Sequence, residues 1–345
     1  SKGLNFIGPS PELIRDMGLK TVAKNMAVEA GLPLVPGSNG PVGNAQAARD
    51  YADSIGYPVI LKASAGGGGR GMRIVEKPET LERHFKSAYD EALAAFGNGD
   101  IFVERYLQNP KHLEFQILGD KHGNVIHLGE RECSLQRKHQ KIVEEAPSAS
   151  VSAALRDEMG ALAVKFAQKI GYFSAGTIEY IMDEDGSYYF MEMNTRIQVE
   201  HPVTEMITGV DLVEWQIKVA LGEILTLSQT DVKIQGWAIE CRVNTEDPQN
   251  RFSPQTGFID TIHFPQDPTI RIETGVVSGS VVTPYFDSMI AKIIVHGSSR
   301  EDAIARTLNA LNHFSLIGLK TTVPFCKAVL QHPDFVNATY TTRWV

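Results

Sequence analysis

Apolar residues repeat along this chain with two different periods, and each period predicts one kind of secondary structure. A recurrence every three to four positions predicts helices, whereas short apolar runs and strict alternation predict strands. The predicted helices cover 10–30, 43–55, 78–96, 151–170 and 210–221. The predicted strands cover 57–62, 72–75, 101–106, 112–118, 124–129, 177–182 and 188–193, and an Asp185-Gly186 turn joins the last two into a hairpin.

The pattern changes after about residue 232, where short strands alternate with turns formed by Pro, Gly and Asp. Strands are predicted over 236–244, 257–263, 270–274 and 288–296. Ser299 then caps a helix that reaches about residue 313, and Asp302 completes a capping-box pattern. Helices and strands are therefore mixed as in an α+β protein, with a domain boundary near 232–236.

One stretch carries polar residues at every second position. Residues 192–200 read Glu-Met-Asn-Thr-Arg-Ile-Gln-Val-Glu, so in an extended strand two carboxylates, an amide and a guanidinium share one face. Such a row indicates a site for cations on one side and for an anion on the other. The alternative is a solvated face with charge pairs across the strand.

Two further strands place polar residues on one face and apolar residues on the other. The polar faces consist of His112, Glu114 and Gln116 in one strand and of Glu240, Arg242 and Asn244 in the other. Between these strands lies the basic segment Gln136–Lys141, which by itself predicts only a solvated turn.

Four consecutive glycines, Gly66–Gly69, precede Arg70 and Gly71. The run contains the dinucleotide-binding fingerprint, but the residues after it predict a strand instead of the helix that this fingerprint requires. A glycine hairpin tip exposes backbone N–H groups and can close over phosphates as a flexible flap. The alternative is a mobile turn without a ligand.

Charged residues near these motifs are candidates for phosphate and metal binding. Lys62 ends a buried apolar strand, where an unpaired ammonium is costly, whereas Lys20 lies within a predicted helix and is uninformative alone. Glu179 and Glu192 belong to the two strands of the hairpin and, with Asn194, offer hard oxygen ligands for Mg²⁺ or Mn²⁺. The alternative is two carboxylates paired with lysines on an open sheet face.

Composition and charge exclude several classes of protein. The 345 residues are 43% hydrophobic and 21% charged, as in ordinary globular proteins, and no apolar run predicts a membrane span. The net charge of −8 argues against a general nucleic-acid binder. Three distant cysteines exclude a disulfide framework and a zinc cluster. We expect a cytoplasmic protein, or one from another reducing compartment such as the mitochondrial matrix.

Three motifs together resemble biotin carboxylase, an enzyme of the ATP-grasp superfamily. They are KASAGGGGRGM (62–72), ERECSLQRKHQK (130–141) and EMNTRIQVEHP (192–202), and the resemblance covers essentially the whole chain. It implies ATP-dependent carboxylation of biotin by bicarbonate through carboxyphosphate, with Mg²⁺ or Mn²⁺. It also implies an ATP-grasp domain over 1–233, with a mobile lid subdomain at about 34–107 that closes when ATP binds, and a biotin carboxylase C-terminal domain over 234–345.

The resemblance also implies roles for the matching residues. Phosphates and ribose would be held by Lys20, Lys62, Gly66, Gly67, Gly68, Gly69 and His112. The adenine would meet Glu104, Leu107 and the backbone of Arg105, and the nucleotide site would be completed by Met72, Gln136 and His139. The metal ligands would be Glu179, Glu192 and Asn194.

The remaining implied roles concern bicarbonate and biotin. Bicarbonate would be bound by Lys141, Arg196, Gln198 and Val199. Glu200 would be the base that deprotonates bicarbonate, and Arg242 would stabilise the biotin enolate. This arrangement agrees with the chemistry, because bicarbonate needs a base near a cationic clamp and phosphoryl transfer depends on positioning and charge neutralisation.

In this family a separate α/β domain precedes the residues that match Gly3–Pro9. About the first quarter of a usual member is therefore expected to be missing, and with it one wall of the biotin pocket and some dimer contacts. We expect exposed apolar surface, a surviving nucleotide site and poor carboxylation of free biotin.

The resemblance implies partners as well. The chain has no Ala-Met-Lys-Met segment, so biotin would arrive as a substrate on a carrier domain or protein. A carboxyltransferase component of a biotin-dependent acyl-CoA carboxylase, such as acetyl-CoA carboxylase in fatty acid biosynthesis, and a homodimer of the full-length enzyme are also expected.

Two other functions remain open at this stage. Another ATP-grasp ligase, which forms carbamoyl or carboxyamino products, would share the lid and the metal ligands but not the Arg-x-Gln-Val-Glu-His-Pro run. A catalytically silent nucleotide-binding fragment would bind ATP without bicarbonate-dependent turnover.

Overall fold

The structure is a computed structural model that describes residues 3–38, 40–63, 72–138 and 140–345, apart from the side chains of Lys20 and Phe96. The predictions made for the Gly66–Gly69 loop, for His139 and for the Lys20 side chain lie outside the described residues. Within that described part, no helix combines the length and the apolarity that crossing a membrane requires.

The helices begin and end where local capping chemistry allows. In the described ranges they are α1 (Pro11–Gly18), α2 (Lys20–Ala30), α3 (Ala45–Ile55), α4 (Leu81–Phe96), α5 (Ala153–Lys169), α6 (His201–Thr208), α7 (Leu212–Leu221), α8 (Arg300–His313), α9 (Val323–Gln331) and α10 (Pro333–Val336). The side chains of Ser10, Asn44, Ser152 and Ser299 each accept a hydrogen bond from the backbone N–H three residues later, which satisfies a donor that the helix leaves unpaired.

The strands are more numerous and mostly short. They are β1 (Val59–Ala63), β2 (Met72–Val75), β3 (Ile101–Arg105), β4 (Lys111–Gly119), β5 (Val125–Arg137), β6 (Gln140–Ala146), β7 (Ser174–Met182), β8 (Tyr188–Asn194), β9 (Trp237–Asn244), β10 (Glu246–Asp247), β11 (Ser253–Pro254), β12 (Gly257–Phe258), β13 (Thr261–His263), β14 (Ile270–Thr274), β15 (Val281–Val282), β16 (Met289–Gly297) and β17 (Ser315–Ile317).

An eight-stranded sheet organises the larger part of the molecule, in the order β14-β16-β9-β6-β5-β4-β7-β8. One face of β9 and β16 packs through Ile239, Cys241 and Val243 on a core that includes α8 and α9. Strands β9, β14 and β16 come from residues beyond 233, so this sheet continues across the position of the predicted domain boundary. The division into domains 1–233 and 234–345 stays a prediction.

The chain forms two compact units. The main unit contains Ser1–Leu32, Pro110–Met182 and Met191–Val345, and the small unit contains Pro33–Asn109 and Asp183–Phe190. The small unit has its own three-stranded sheet, β2-β1-β3, whose core includes Leu61, Leu81 and Val103, all without solvent exposure. It is independent of the main core because its buried residues pack on one another and on α3 and α4.

Three expectations about elements are wrong. The single helix over 10–30 is two helices, because the backbone at Leu19 is extended (φ −94°, ψ 104°). The strand over 257–263 is interrupted between β12 and β13. The segment 136–141 is not a solvated turn, because β5 continues to Arg137 and β6 starts at Gln140, so that Lys141 is only 13% exposed.

The expectation that residues 192–200 form one extended strand is also wrong. Strand β8 ends at Asn194, and Glu200 has φ −81° and ψ 7° at the N-terminus of α6, where Pro202 occupies the first turn. Proline suits this position because its missing N–H would be unpaired there in any case. The polar row is therefore divided between a strand end, a connecting segment and a helix start.

Candidate active site

Glu200 lies between two cations at the start of α6. Its side chain is buried, and Lys141 Nζ lies 2.5 Å from Oε1 while Arg242 Nη2 lies 2.8 Å from Oε2. Strands β6 and β9 supply the two cations and are neighbours in the large sheet. The structure thus brings together three of the residues for which catalytic roles are predicted.

Both cations are held in their charged forms. Burial disfavours the ammonium of Lys141, but the carboxylates of Glu114 and Glu200 outweigh burial and raise the pKa of Lys141. Burial likewise opposes the guanidinium of Arg242, and the carboxylates of Glu144 and Glu200 raise the pKa of Arg242. Two fixed positive charges thus flank Glu200 in a low-dielectric surrounding, and each is also paired with a second carboxylate, Lys141 with Glu114 and Arg242 with Glu144.

A fully buried arginine, Arg131 of β5, connects side chains next to this cluster by hydrogen bonds. It donates hydrogen bonds of 2.7–3.3 Å to the side chains of Glu114, Gln116, Thr177, Gln198 and Thr204. The bond to Gln198 Oε1 is 2.8 Å long and orients that amide. Sequence reasoning assigned no role to Arg131, because it lies between two glutamates beyond the predicted strand 124–129 and nothing in the local pattern indicates burial.

The predicted metal ligands lie on neighbouring strands of the large sheet. Glu179 of β7 is buried, whereas Glu192 of β8 is exposed and Asn194 ends β8. Glu179 Oε1 accepts hydrogen bonds from Asn194 Nδ2 (2.6 Å) and Gln198 Nε2 (3.0 Å). Its Oε2 lies 2.8 Å from His112 Nε2.

The charge state of Glu179 suits a cation. Burial would raise its pKa, but the hydrogen bond and the charge of His112, with help from Lys141, lower the pKa of Glu179 to about 2. The same surroundings raise the pKa of His112, because Glu179 and Glu114 outweigh its burial. An ionised carboxylate is the kind of oxygen ligand that Mg²⁺ prefers.

A second possible metal group overlaps with the predicted one. Single ligand atoms of His112, Glu114 and Glu179 all lie within 4.8 Å of one another. Carboxylate and amide oxygens suit Mg²⁺ better than an imidazole does, so Glu179, Glu192 and Asn194 fit this ion and His112 does not. The assignment of these three ligands stays a prediction.

The other residues predicted to bind the anion are more dispersed. Arg196 is exposed, and its Nη1 donates to the carbonyl oxygen of Ile197 (3.1 Å). The carbonyl oxygen of Val199 accepts a 2.7 Å hydrogen bond from Lys292. Sequence reasoning missed Lys292, although a lone lysine within the apolar run of β16 was a readable signal.

The residues predicted to bind the nucleotide occur in both units. Within the small unit, Lys62 of β1 pairs with Glu104 of β3, while Leu107 is buried and Met72 is 39% exposed. There Arg105 Nη2 lies 3.3 Å from Asp183 Oδ2.

Within the main unit, the two members of the nucleotide set whose side chains are described are neighbours. Gln136 Nε2 lies 3.4 Å from His112 Nδ1. His112 is buried, and its backbone N–H donates to Ser134 Oγ (2.8 Å), which fixes the start of β4.

Two protein families match this chain in succession. Residues 20–228 match the family described as carbamoyl-phosphate synthase L chain, ATP binding domain. Residues 240–345 match the biotin carboxylase C-terminal domain. The first match covers more than half of the chain, and the second distinguishes it from ATP-grasp ligases that form carbamoyl products.

Individual proteins agree with both matches. The 2-oxoglutarate carboxylase small subunit of Hydrogenobacter thermophilus is 52% identical over 100% of this chain and 73% of that protein. The biotin carboxylase of a Nostoc species is 51% identical over 99% of this chain and 76% of that protein.

Solved structures agree as well. The biotin carboxylase domain dimer of the Hydrogenobacter thermophilus 2-oxoglutarate carboxylase, in complex with MgADP, ADP and bicarbonate, has a TM-score of 0.88 and 52% identity over 99% of this chain and 76% of that one. The biotin carboxylase domain of a thermophilic 2-oxoglutarate carboxylase bound to bicarbonate has a TM-score of 0.96 and 50% identity over the same shares. Sequence, fold and site chemistry thus agree, and this chain belongs to the biotin carboxylase family of ATP-dependent ligases, which carboxylate biotin.

Proposed function

We propose that Glu200 is the base that removes the proton of bicarbonate during ATP-dependent carboxylation of biotin. The observation that carries this proposal is the contact of its two buried oxygens with Lys141 and Arg242, at 2.5 and 2.8 Å. Bicarbonate becomes an adequate nucleophile when its proton is removed, and a carboxylate between two cations can accept that proton while the cations hold the carbonate.

The neighbouring groups complete an anion site. Lys141, Arg196, Gln198 and the backbone of Val199 bind bicarbonate, and the Arg131–Gln198 hydrogen bond supports the placement of the amide. Carbonate then attacks the γ-phosphorus of ATP, the bond to ADP breaks, and carboxyphosphate forms. The bond between the carboxyl group and phosphate of carboxyphosphate then breaks, and the released phosphate takes the N–H proton of biotin. Arg242 stabilises the resulting biotin enolate, which accepts the carboxyl group in this first half-reaction of a biotin-dependent carboxylase.

ATP binding involves a larger set of residues. We assign to it Lys20, Lys62, the Gly66–Gly69 loop, Met72, Glu104, Arg105, Leu107, His112, Gln136 and His139. Glu179, Glu192 and Asn194 hold Mg²⁺ or Mn²⁺, which when bound neutralises phosphate charge. The low pKa of Glu179 and the MgADP complex of the relative support this assignment.

The assignment extends to domains and partners. Residues 1–233 form the ATP-grasp domain with a lid at about 34–107, which the compact unit of Pro33–Asn109 supports, and 234–345 form the C-terminal domain. The partners are a biotin carboxyl carrier, a carboxyltransferase component and a second copy in a full-length homodimer. Relatives named as carboxylase subunits and as a domain dimer support these partners.

Replacing Glu200 by Gln tests the base directly. The amide cannot accept the proton, so biotin-dependent ATP hydrolysis by the full-length enzyme should fall by about 100-fold or more, while ATP affinity measured by calorimetry stays within a few-fold. The same change at Glu214, an exposed carboxylate of α7, is the matched control and should keep normal turnover. Normal turnover by Glu200→Gln would exclude the assignment, and ATP binding without any bicarbonate-dependent turnover in the unchanged protein would indicate a silent nucleotide-binding fragment.

A further inference from the structure

Two buried glutamates face each other beside the candidate site, and the mechanism above does not use either. Glu144 of β6 and Glu240 of β9 are direct partners in the antiparallel pairing of these strands, and neither has any solvent exposure. Like charges directly opposite each other destabilise a sheet, and burial adds a further cost for each charge. Two ionised carboxylates at these positions would therefore be strongly unfavourable.

The two carboxyl groups have unequal partners. Glu144 Oε1 accepts a 2.6 Å hydrogen bond from Arg242 Nε, and the same guanidinium contacts Glu200. Within the described residues, the other oxygen of Glu144 and both oxygens of Glu240 are buried without a hydrogen-bond partner. Burial raises the pKa of Glu144 too, but the charge and the hydrogen bond of Arg242 oppose this rise. Glu144 is thus placed to carry the charge, whereas Glu240 lacks a bonded cation.

Charged groups around Glu240 do not remove this inequality. Several titratable and charged side chains lie on the elements that pack against this face of β9. They are Lys141 and Glu144 of β6, Arg242 of β9, Lys292 and His296 of β16, and Glu200, His201 and Glu205 at α6. Lys292 is engaged with the Val199 carbonyl (2.7 Å) and with Glu273 (2.6 Å). Burial, followed by the charge of Glu144, raises the pKa of Glu240 well above its usual value, although Lys292 and Arg242 oppose this.

We propose that Glu144 and Glu240 together carry a single proton near neutral pH, without a hydrogen bond from one to the other, and that this singly charged pair positions the Arg242 guanidinium against Glu200. Glu144 is the ionised member and Glu240 the protonated one. Both are positioning residues, since they act through Arg242. The second half of this proposal rests on the role proposed above for Arg242, whereas the shared proton does not.

Stability as a function of pH tests the shared proton. The native state keeps the Glu240 proton that the unfolded chain releases above the usual pKa of 4.5, so the wild-type protein loses stability as pH rises from there toward the raised native pKa. Glu240→Gln removes this loss. We expect the Tm difference, variant minus wild type, to increase by roughly 4 °C between pH 6 and pH 8.

A Tm difference that is constant across this range would overturn the shared proton. Glu240→Met, which has similar length and no titratable group, provides the same comparison if the amide is not accommodated. This result does not depend on catalysis, so it stays interpretable even if Glu200→Gln keeps its activity and the proposed function fails.

Activity tests the positioning of Arg242. Glu144→Gln should lower kcat for biotin-dependent ATP hydrolysis by about 10- to 100-fold, because a displaced catalytic group costs that much, with KM for ATP within a few-fold. Glu240→Gln should keep a larger fraction of its own maximal turnover at pH 9 than the wild type does. Glu145→Gln is the control, since Glu145 is also buried but bonds Arg300 (2.8 Å) instead of Arg242, and it should follow the wild-type pH profile of turnover. The positioning role would be excluded if turnover of Glu240→Gln depended on pH in the same way as turnover of the control. It would also be excluded if Glu144→Gln lowered kcat and ATP affinity by equal factors.

Discussion

Glu179 and Glu192 lie on neighbouring strands but have different surroundings. Glu179 is buried and bonded to His112, Asn194 and Gln198, so replacing it would leave several buried polar groups unpaired. Glu192 is exposed, and its replacement removes a charge without that damage. Replacing Glu192 therefore tests the proposed metal site with less disturbance of buried hydrogen bonds than replacing Glu179 would.

We expect Glu192→Gln to raise the Mg²⁺ concentration needed for half-maximal ATP hydrolysis by about tenfold, because one anionic oxygen ligand is lost. The measurement is ATP turnover as a function of Mg²⁺ at saturating ATP. Glu184→Gln is the matched control, since Glu184 is an exposed carboxylate of the same hairpin and should leave the Mg²⁺ dependence unchanged. An unchanged dependence for both variants would place the metal elsewhere.

At the scale of elements, Arg131 joins four parts of the main unit. Its side chain connects β5 to β4 through Glu114 and Gln116, to β7 through Thr177 and to α6 through Thr204. Removal of a buried charge leaves its partner charge uncompensated. Arg131 thus adds a polar contact between α6 and the sheet to the apolar packing of Val203 and Ile207.

We expect Arg131→Met to lower the free energy of unfolding by about 3–5 kcal/mol, because Glu114 would lose a buried partner. Urea unfolding followed by circular dichroism gives this quantity. Arg306→Met removes an arginine from the exposed surface of α8, where its partner Asp302 is also solvated, and should change stability by less than about 0.5 kcal/mol. A similarly small effect at Arg131 would show that its hydrogen bonds are dispensable.

At the scale of the whole molecule, two separate cores predict two cooperative units. Leu61 is fully buried in the small unit, and Leu118 is fully buried in the main unit. A leucine-to-alanine change in a core costs about 2–5 kcal/mol, and regions with independent cores can open independently. Each substitution should therefore destabilise its own unit.

Hydrogen exchange followed by mass spectrometry measures this difference. Leu61→Ala should accelerate hydrogen exchange in β1, β3, α3 and α4 and leave exchange in β4 and β7 unchanged. Leu118→Ala should accelerate exchange in β4 and β7 and leave exchange in β1, β3, α3 and α4 unchanged. Equal acceleration throughout the chain after either substitution would mean that the protein opens as one cooperative unit.

Much of this protein was readable from local sequence. The periodic patterns predicted most of the large elements to within a few residues, because each pattern depends on neighbours along the chain. They ended β5 at residue 129 instead of Arg137 and did not predict β6. The three motifs were specific enough to indicate the family, which the comparisons confirm. Short helices such as α9 and α10, and the break at Leu19, were missed because a few residues carry too little periodic signal.

The tertiary structure decided which of the recognised residues meet. Lys141 and Glu144 are three positions apart, so in a regular strand they would face opposite sides. Gln136 pairs with Lys141 and Leu135 with Val143, which leaves Ile142 as an extra residue, and this bulge lets both side chains reach the Glu200 cluster. Register, burial and the turn into α6 depend on contacts between distant segments. The sequence by itself therefore determined the elements, the family and the candidate chemistry, whereas only the packed sheet decided that Glu200 faces two cations and that Glu144 faces Glu240.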